Sequence, residues 1–552
     1  MKQASSMVYR EGVEAPCVKV CPAGVDIPRC NRLIADGKFG EALAVIREKI
    51  PFPSVCGRVC PSPCEAKCQL SEVDEAMMIR ALKRFVAERD TGLWRQASKI
   101  GKPTGRRVAI IGSGPGGLTA AYYLAKLGHG VTVFEALPQP GGMMRVGIPE
   151  YRLPRGVLDA EIDAIRGIGV DIKTNTRIDS PDGLFGQGHD AVFVAVGAHK
   201  PMKMGVEGED GPGVVESLSL LRQVNQGQKV SLGNRVAVVG GGNSAIDAAR
   251  VALRLDAKEV TIIYRRTQAE MPANPAEIEE ALKEGVTIQF LAAPTGITRD
   301  NGAVKMECIR MKLGGLDESG RPRPEPIAGS EFSMSFDMAI SAIGQVPDIP
   351  AQFGLAISER GTLEADPDTL TTSREGVFAG GDATSGPASV IEAIAAGRRA
   401  AISIDRYLGG SGVIDEKLVP HDEIAPLEPW VPVGERAMIP SLPIAERLAG
   451  FAEVELSLSE ELAVEQAKRC LRCDLPIIAD PAKCCGCLIC ELRCSLRLEG
   501  AFNPSKARIK IRRLVKADTE YMVSFTDECD NCGICARYCP YGTLSRERKE
   551  VA

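Results

Sequence analysis

At 552 residues the chain is too long for a single core, and a soft count gives three or four domains. Its net charge of −5 mixes both signs, which excludes a basic face for nucleic acid or anionic lipid, and no apolar run reaches membrane-spanning length. The opening residues lack the apolar core of a signal peptide, and nineteen cysteines beside four histidines (His129, His189, His199, His421) point to thiolate metal sites in the cytoplasm rather than disulfides or a histidine-rich metal site.

Residues 1–100 hold seven cysteines, and stretches such as CNRLIADGKFGEALAVIREKI place apolar residues every three or four positions, which predicts a helical domain. A KPTG linker leads into the strand RRVAIIG. There Gly112, Gly114 and Gly117 form G-x-G-x-x-G between a strand and the helix LTAAYYLAKLG. The first glycine permits the tight turn, the second admits a pyrophosphate to the backbone, and the third lets helix and strand pack closely. The next strand, VTVFEA, ends in Glu135, where a carboxylate binds ribose hydroxyls. This predicts an FAD-binding Rossmann-like domain, its first part spanning 101–231.

A second strand–glycine–helix unit, RVAVVGGGNSAIDAARVAL, opens an inserted domain over 232–346 and presents Gly240, Gly242, Asn243 and Ala245 to a dinucleotide. Arg265 and Arg266 stand where Glu135 stood in the first unit. Arginines there suit the 2′-phosphate of NADPH, with NADH the second choice; the bland reading is that they solvate a strand end. The flavin domain resumes over 347–410, where Gly381 and Asp382 of VFAGGD are placed to meet the ribityl or pyrophosphate part of the flavin, or form only a tight turn. The helix after Ser389 aims its positive end at the flavin ring. Residues 411–478, rich in proline, read as a strap over the surface carrying Cys470 and Cys473. The segment 479–552 reads as a bacterial-type dicluster ferredoxin domain. It repeats C-x2-C-x2-C-x3-C as Cys484, Cys487, Cys490, Cys494 and as Cys529, Cys532, Cys535, Cys539. With the fourth cysteine of each run exchanged, Cys484, Cys487, Cys490 and Cys539 hold one 4Fe-4S cluster and Cys529, Cys532, Cys535 and Cys494 the other. Zinc sites or disulfides are the alternative, and they suit a three-plus-one run poorly. Cys308 and Cys485 are read as free thiols.

Together GSGPGGLTAAYYLAKLG, PGGMMRVGIPEYRLP, GGGNSAIDAAR with YRR, and GVFAGGD resemble the small subunit of glutamate synthase. The same modules occur in dihydropyrimidine dehydrogenase and in the large subunit of NADH-dependent ferredoxin:NADP oxidoreductases. The resemblance covers residues 15–410 and implies FAD in the first domain, NADPH in the second and iron–sulfur clusters in the N-terminal domain. It also implies that Gly142 approaches FAD and that the backbone near Val390 meets the flavin pyrimidine edge. The chain departs from the family by lacking a leading C-x2-C. Cys470 and Cys473 are expected to fold back and replace it, completing a cluster with Cys17 and Cys68; otherwise they form a metal-free pair, or an N-terminal cluster is lost. A second N-terminal cluster uses Cys21, Cys60 and Cys64. Its fourth ligand stays open: dihydropyrimidine dehydrogenase supplies a glutamine, the matching ALKRF here has none, and Cys56 is the first substitute and Cys30 the second. The C-terminal segment, with NPSKARIKIRR between its cysteine runs, is similar to ferredoxin subunits that accompany tungsten-dependent aldehyde:ferredoxin oxidoreductases.

The expectation is therefore a flavin and iron–sulfur oxidoreductase with FAD, NADPH and four 4Fe-4S clusters and no acid–base side chain. It would exchange hydride with NADPH and single electrons with ferredoxin or a large partner subunit, within a hetero-oligomer. An aldehyde:ferredoxin oxidoreductase-like enzyme, an aromatic-acyl reductase and a hydrogenase are the candidate partners. No C-x4-C disulfide lies beside the flavin motifs, which disfavours a disulfide reductase. The alternatives are a glutamate synthase small subunit, an electron-bifurcating flavin subunit, and a scaffolding subunit with vestigial nucleotide sites.

Overall fold

The computed structural model describes residues 7–300, 302–318, 320–420, 434–514 and 520–546, so His421 lies outside the described residues. The chain divides into two compact units: Met1–Ser98 with Asp415–Ile439 and Ser457–Ala552, and Lys99–Ile414 with Pro440–Leu456.

The second of these carries two parallel five-stranded sheets. The first sheet orders its strands Val377–Ala379, Ala191–Val194, Arg107–Ile111, Gly130–Phe134 and Asp171–Lys173. Helix Pro115–Lys126 leaves the strand Arg107–Ile111 through the first glycine turn, and helix Val390–Tyr407 packs on it. Small residues make that crossing close. A Cβ on Gly116 would stand 3.2 Å from the Ala393 carbonyl oxygen, and one on Gly397 would run into the Gly116 carbonyl. The second sheet runs Thr287–Phe290, Glu259–Tyr264, Arg235–Val239, Met338–Ser341 and Val214–Glu216. The strand Val214–Glu216 thus joins the second sheet from ahead of residue 232. An antiparallel sheet of Ala292–Asp300, Ala303–Leu316 and Pro322–Phe336, not foreseen from the sequence, buries Val304, Met306 and Cys308 against it.

In the other unit, helices Ile27–Ala35 and Phe39–Arg47 arise from the patterned stretch read above, parted at Gly37, whose φ of +72° ends the first. Helices Pro53–Val59 and Ile79–Ala87 pack tightly, a Cβ on Gly57 meeting Arg84 Cα at 2.6 Å. A three-stranded antiparallel sheet joins Val8–Arg10, Ile477–Ala479 and Leu544–Arg546, so the start, the linker and the end of the chain meet in one ladder.

The expected surface strap 411–478 is corrected in part. Val454 lies in a core cluster with Tyr151, Leu221 and Val251, and helix Glu460–Lys468 packs on helix Ile27–Ala35 with Ala463 and Ala467 buried. The proline content of the segment does not keep its apolar residues out of the core.

Candidate functional site

The strand Arg107–Ile111 ends at Gly112, whose φ of +104° and closeness to the Ala195 carbonyl oxygen admit no Cβ. Gly117 is equally constrained, since a Cβ would fall well under 3.0 Å from the Gly112 carbonyl oxygen. Between them Gly114 caps helix Pro115–Lys126 with open space where its side chain would be. A cavity of 560 Å³ begins there and is lined by Gly112, Gly114, Glu135, Gly142, Gly381, Asp382 and Val390. Seven of the eight residues expected at the flavin therefore face one space, and Gly117 lies beneath it. Gly142 at φ +53° lies against Gly114, a Cβ on it meeting the Gly114 Cα at 2.7 Å. The start of helix Val390–Tyr407 opens on the same cavity, and its capping box is formed by Glu392 accepting from the Ser389 N–H at 2.8 Å and hydroxyl at 2.6 Å. Two helix N-termini thus direct partial positive charge into it.

Glu135 is buried, and its carboxylate accepts from the Ser113 amide at 3.0 Å, the Ser113 hydroxyl at 2.5 Å and the Leu137 amide at 2.8 Å. The glycine turn and the acid are thereby locked together. Sequence reasoning missed His199, Lys200, Arg222 and Asp348, which also line the cavity. Arg222 Nη2 stands 3.3 Å from His199 Nδ1, and burial, then the charge of Arg222, lowers the pKa of His199 and favours the neutral ring. A lone histidine in VGAHK carried no signal in the sequence. Glycine, acid and twin helix ends suit an adenine dinucleotide, so the cavity fits FAD.

Burial raises the Asp382 carboxyl to about 6; an amide bond from Ala388 opposes the shift and Glu392 adds to it. The ionised form is therefore the costly one in the fold. That cost is absent below pH 3.8, grows up to about pH 6 and is complete above. Asp382→Asn should stabilise the flavin-free chain above pH 6 by roughly 3 kcal/mol and leave it unchanged below pH 3.8. Melting scans showing the same gap at every pH would refute this.

At the second nucleotide unit Gly240, at φ +145°, lies against the Ala342 carbonyl, Ala245 is fully buried, and Gly242 caps helix Asn243–Arg254, a Cβ on it meeting nothing nearer than Pro272 Cγ at 4.0 Å. Asn243 Oδ1 accepts from the Asn274 amide at 3.0 Å and so shapes the neighbouring loop. The two arginines part company. Arg265 is exposed, whereas Arg266 is buried and bound to Asp317 Oδ2 at 2.5 Å and to the Pro322 carbonyl at 2.8 Å. The expectation that both face a 2′-phosphate is corrected for Arg266: alternation along the chain turns it into the antiparallel sheet, where Asp317 neutralises it.

All nineteen cysteines are free thiols. Burial, then Cys470, Cys473, Cys68 and Cys64 in that order, raises the Cys17 thiol. Desolvation is the largest single pull on buried Lys83 and lowers its pKa, but Cys60, Cys56, Cys64 and Cys21 together outweigh it and raise the pKa. Burial and then Cys539, Cys487 and Cys484 raise Cys490 to about 12. Cys535 is raised by burial and then by Cys532, Cys490 and Cys529, and the Cys494 sulfur accepts from the Arg508 amide at 3.2 Å. Among the described residues no group of three or more His, Cys, Asp or Glu is arranged to hold a metal ion. Neighbouring thiols that oppose one another's ionisation suit iron–sulfur clusters, whose iron stabilises the thiolates.

The pattern of the pyridine nucleotide-disulphide oxidoreductases matches residues 106–397, more than half of the chain. The chain belongs to this family. Within the matched span of this oxidoreductase the sole cysteine is the buried Cys308, so no cysteine pair is present there. The 4Fe-4S cluster domain II of dihydropyrimidine dehydrogenase matches residues 8–92, and a 4Fe-4S binding domain matches 522–545. The beta subunit of the NADP(+)-dependent formate dehydrogenase of Moorella thermoacetica is 45% identical over 85% of this chain and 72% of its own length. The beta subunit of the NADPH-Fe(3+) oxidoreductase of Geobacter sulfurreducens is 42% identical over 86% and 77%. The small chain of glutamate synthase [NADPH] of Escherichia coli is 34% identical over 71% and 88%. This family member is a NAD(P)H-dependent flavin and iron–sulfur oxidoreductase, with FAD, a nicotinamide nucleotide and 4Fe-4S clusters as its cofactors. No helix among the described residues is long and apolar enough to cross a membrane.

Proposed function

We propose that this chain is the electron-transfer subunit of a cytoplasmic hetero-oligomeric redox complex, exchanging hydride with NADPH and single electrons with ferredoxin or a large partner enzyme. The observation that carries the reading is the gathering of Cys17 and Cys68 with Cys470 and Cys473 in one compact unit that also holds the two C-terminal cysteine runs. A flavin site alone would serve a simple reductase. Four thiol sets serve a chain of one-electron centres.

FAD when bound takes hydride as an electron pair and returns the electrons singly, as 4Fe-4S clusters require. The protein's own part is to place and tune these groups. Glu135 takes the ribose hydroxyls and the Gly114 turn the pyrophosphate, while Asp382 meets the ribityl region. Cys484, Cys487, Cys490 and Cys539 hold one cluster, and Cys529, Cys532, Cys535 and Cys494 the second. Cys17, Cys68, Cys470 and Cys473 hold the third. Cys21, Cys60, Cys64 and Cys56 hold the fourth, with Cys30 the second choice for the last place. The domain plan set out from the sequence, with an inserted NADPH domain, goes with this reading.

The two relatives named as beta subunits support a large catalytic partner, of the formate dehydrogenase kind or another low-potential enzyme. The glutamate synthase small chain is the weaker parallel, since its match leaves out more than a quarter of this chain. Anaerobic titration with NADPH tests the proposal: flavin absorbance should bleach and reduced-cluster signals appear in the electron paramagnetic resonance (EPR) spectrum. Zinc in place of iron, or far fewer than about a dozen irons per chain, would sink it. For nucleotide choice, Arg265→Ser should weaken NADPH by roughly tenfold or more and NADH little. Equal losses for both would show that Arg265 does not meet the 2′-phosphate.

A further inference from the structure

The fold-back pair does more than complete an N-terminal thiol set. The Cys473 sulfur lies 3.7 Å from the carbonyl oxygen of Cys532, a residue of the last cysteine run. Asn531, fully buried at φ +56°, donates its side-chain amide to the carbonyls of Cys473 at 3.2 Å and Leu475 at 2.7 Å. Above them sits Arg546, 0% exposed, at the end of the strand Leu544–Arg546. Its guanidinium donates to the Leu475 carbonyl at 2.7 Å, and also to the carbonyls of Arg472 and Asn531. These acceptors flank Cys473 on both sides and immediately precede Cys532. A Cβ on Gly533 would overlap the guanidinium, so the space around it is filled.

A fully buried arginine is costly unless opposite charge stands nearby. Three backbone carbonyls satisfy hydrogen bonds without cancelling the charge. The carbonyls it bonds lie one residue before Cys473, two after it and one before Cys532, so its charge is set beside thiols of both sets. Lys468 and Glu75, also near the fold-back, are bound instead by Arg537 and Arg469 through their backbone carbonyls.

We infer that Arg546 is a positioning residue shared by two cluster sites, clamping the fold-back pair against the last cysteine run and stabilising the negative charge of both thiolate sets at once. The inference rests on the proposed fold-back of Cys470 and Cys473. It makes the Cys473–Cys532 contact the place where the N-terminal and C-terminal iron–sulfur segments adjoin. Asn531 is the second half of the clamp and sets the geometry without adding charge.

The test is an EPR-monitored redox titration of the full-length chain, with iron counted in each preparation. Arg546→Met should lower the ratio of reduced to oxidised centre about tenfold at fixed poise, a 59 mV shift for a one-electron couple, in two centres together. Arg546→Lys should restore most of it. Should Arg546→Met fail to fold, Arg546→Gln keeps side-chain donors, removes the charge and should shift the same two centres. Asn531→Gly suits the positive φ and should keep iron and potentials while weakening the magnetic interaction between centres. Cys473→Ala tests the underlying fold-back, since iron should fall by about four per chain. Unchanged iron in that variant overturns the fold-back and this inference with it. Iron that falls, together with charge-removing Arg546 variants that shift one centre or none, overturns the shared role of Arg546 alone.

Discussion

Gly117→Val should leave a folded chain that binds flavin roughly a hundredfold more weakly, about 2.7 kcal/mol, as read from flavin absorbance per chain after desalting. The glycine has no exceptional backbone angle; its constraint is packing. Its missing side chain leaves room for the Gly112 carbonyl and the Ile110 side chain, 3.2 Å from the ideal Cβ. A β-branched residue must push the first turn of helix Pro115–Lys126 away from its strand. That turn presents the backbone amides and the helix end to the cavity, and at Gly116 it packs so closely on helix Val390–Tyr407 that an added Cβ would stand 3.2 Å from the Ala393 carbonyl oxygen. Displacing one helix therefore moves both positive ends that the anion needs. Gly114→Ala is the control: open space surrounds that position, so a Cβ strains nothing in the apo chain but intrudes where the pyrophosphate belongs. It should lower flavin content without lowering stability. Full flavin in Gly117→Val would show that the turn does not seat the dinucleotide.

The second large effect is on stability. Glu284 is fully buried between two arginines, with its oxygens 2.7 and 3.0 Å from Arg250 and 2.7 and 3.0 Å from Arg254. Arg250 and Arg254 in turn stack on the ring of Tyr151 at 4.7 and 4.1 Å, and Arg152 joins Asp247 at 2.9 Å and Glu277 at 3.3 Å. This network ties the GIPEYRLP loop to the helix behind the second glycine turn. Burial works to raise the carboxyl of Glu284, and the bonds from Arg250 and Arg254 overcome it and hold the group at about 2. Glu284→Gln leaves buried Arg254 without its counter-charge and Arg250 with Glu277 alone, which costs about 3–5 kcal/mol. Because the folded carboxyl is depressed, its contribution is complete above pH 4.5 and fades as pH falls towards 2. Chemical denaturation of variant and parent should accordingly differ most at neutral pH and converge in acid. A difference that persists unchanged at pH 2 would assign the effect to packing instead.

Much of the flavin site was legible before any coordinates. A glycine turn is a local device: strand, tight turn and helix follow from a dozen consecutive residues, and Glu135 comes one strand later. The spacing of Cys484, Cys487 and Cys490 is similarly local. Chemistry-bearing residues outside such motifs were silent, as His199 and Arg222 show, because nothing in VGAHK or in LLRQVN announces which cavity a side chain will meet. The three-stranded antiparallel sheet escaped notice as well, and with it the salt bridge that withdraws Arg266 from the surface.

From sequence alone follow the two dinucleotide units, the two C-terminal cysteine runs and the absence of a cysteine pair beside the flavin motifs, since each depends on residue type at short separation. Tertiary structure decided which distant groups meet: Asp317 on Arg266, and Arg546 on carbonyls either side of Cys473 and just before Cys532. Buried charge must find its partner wherever packing brings one, and sequence spacing does not encode that.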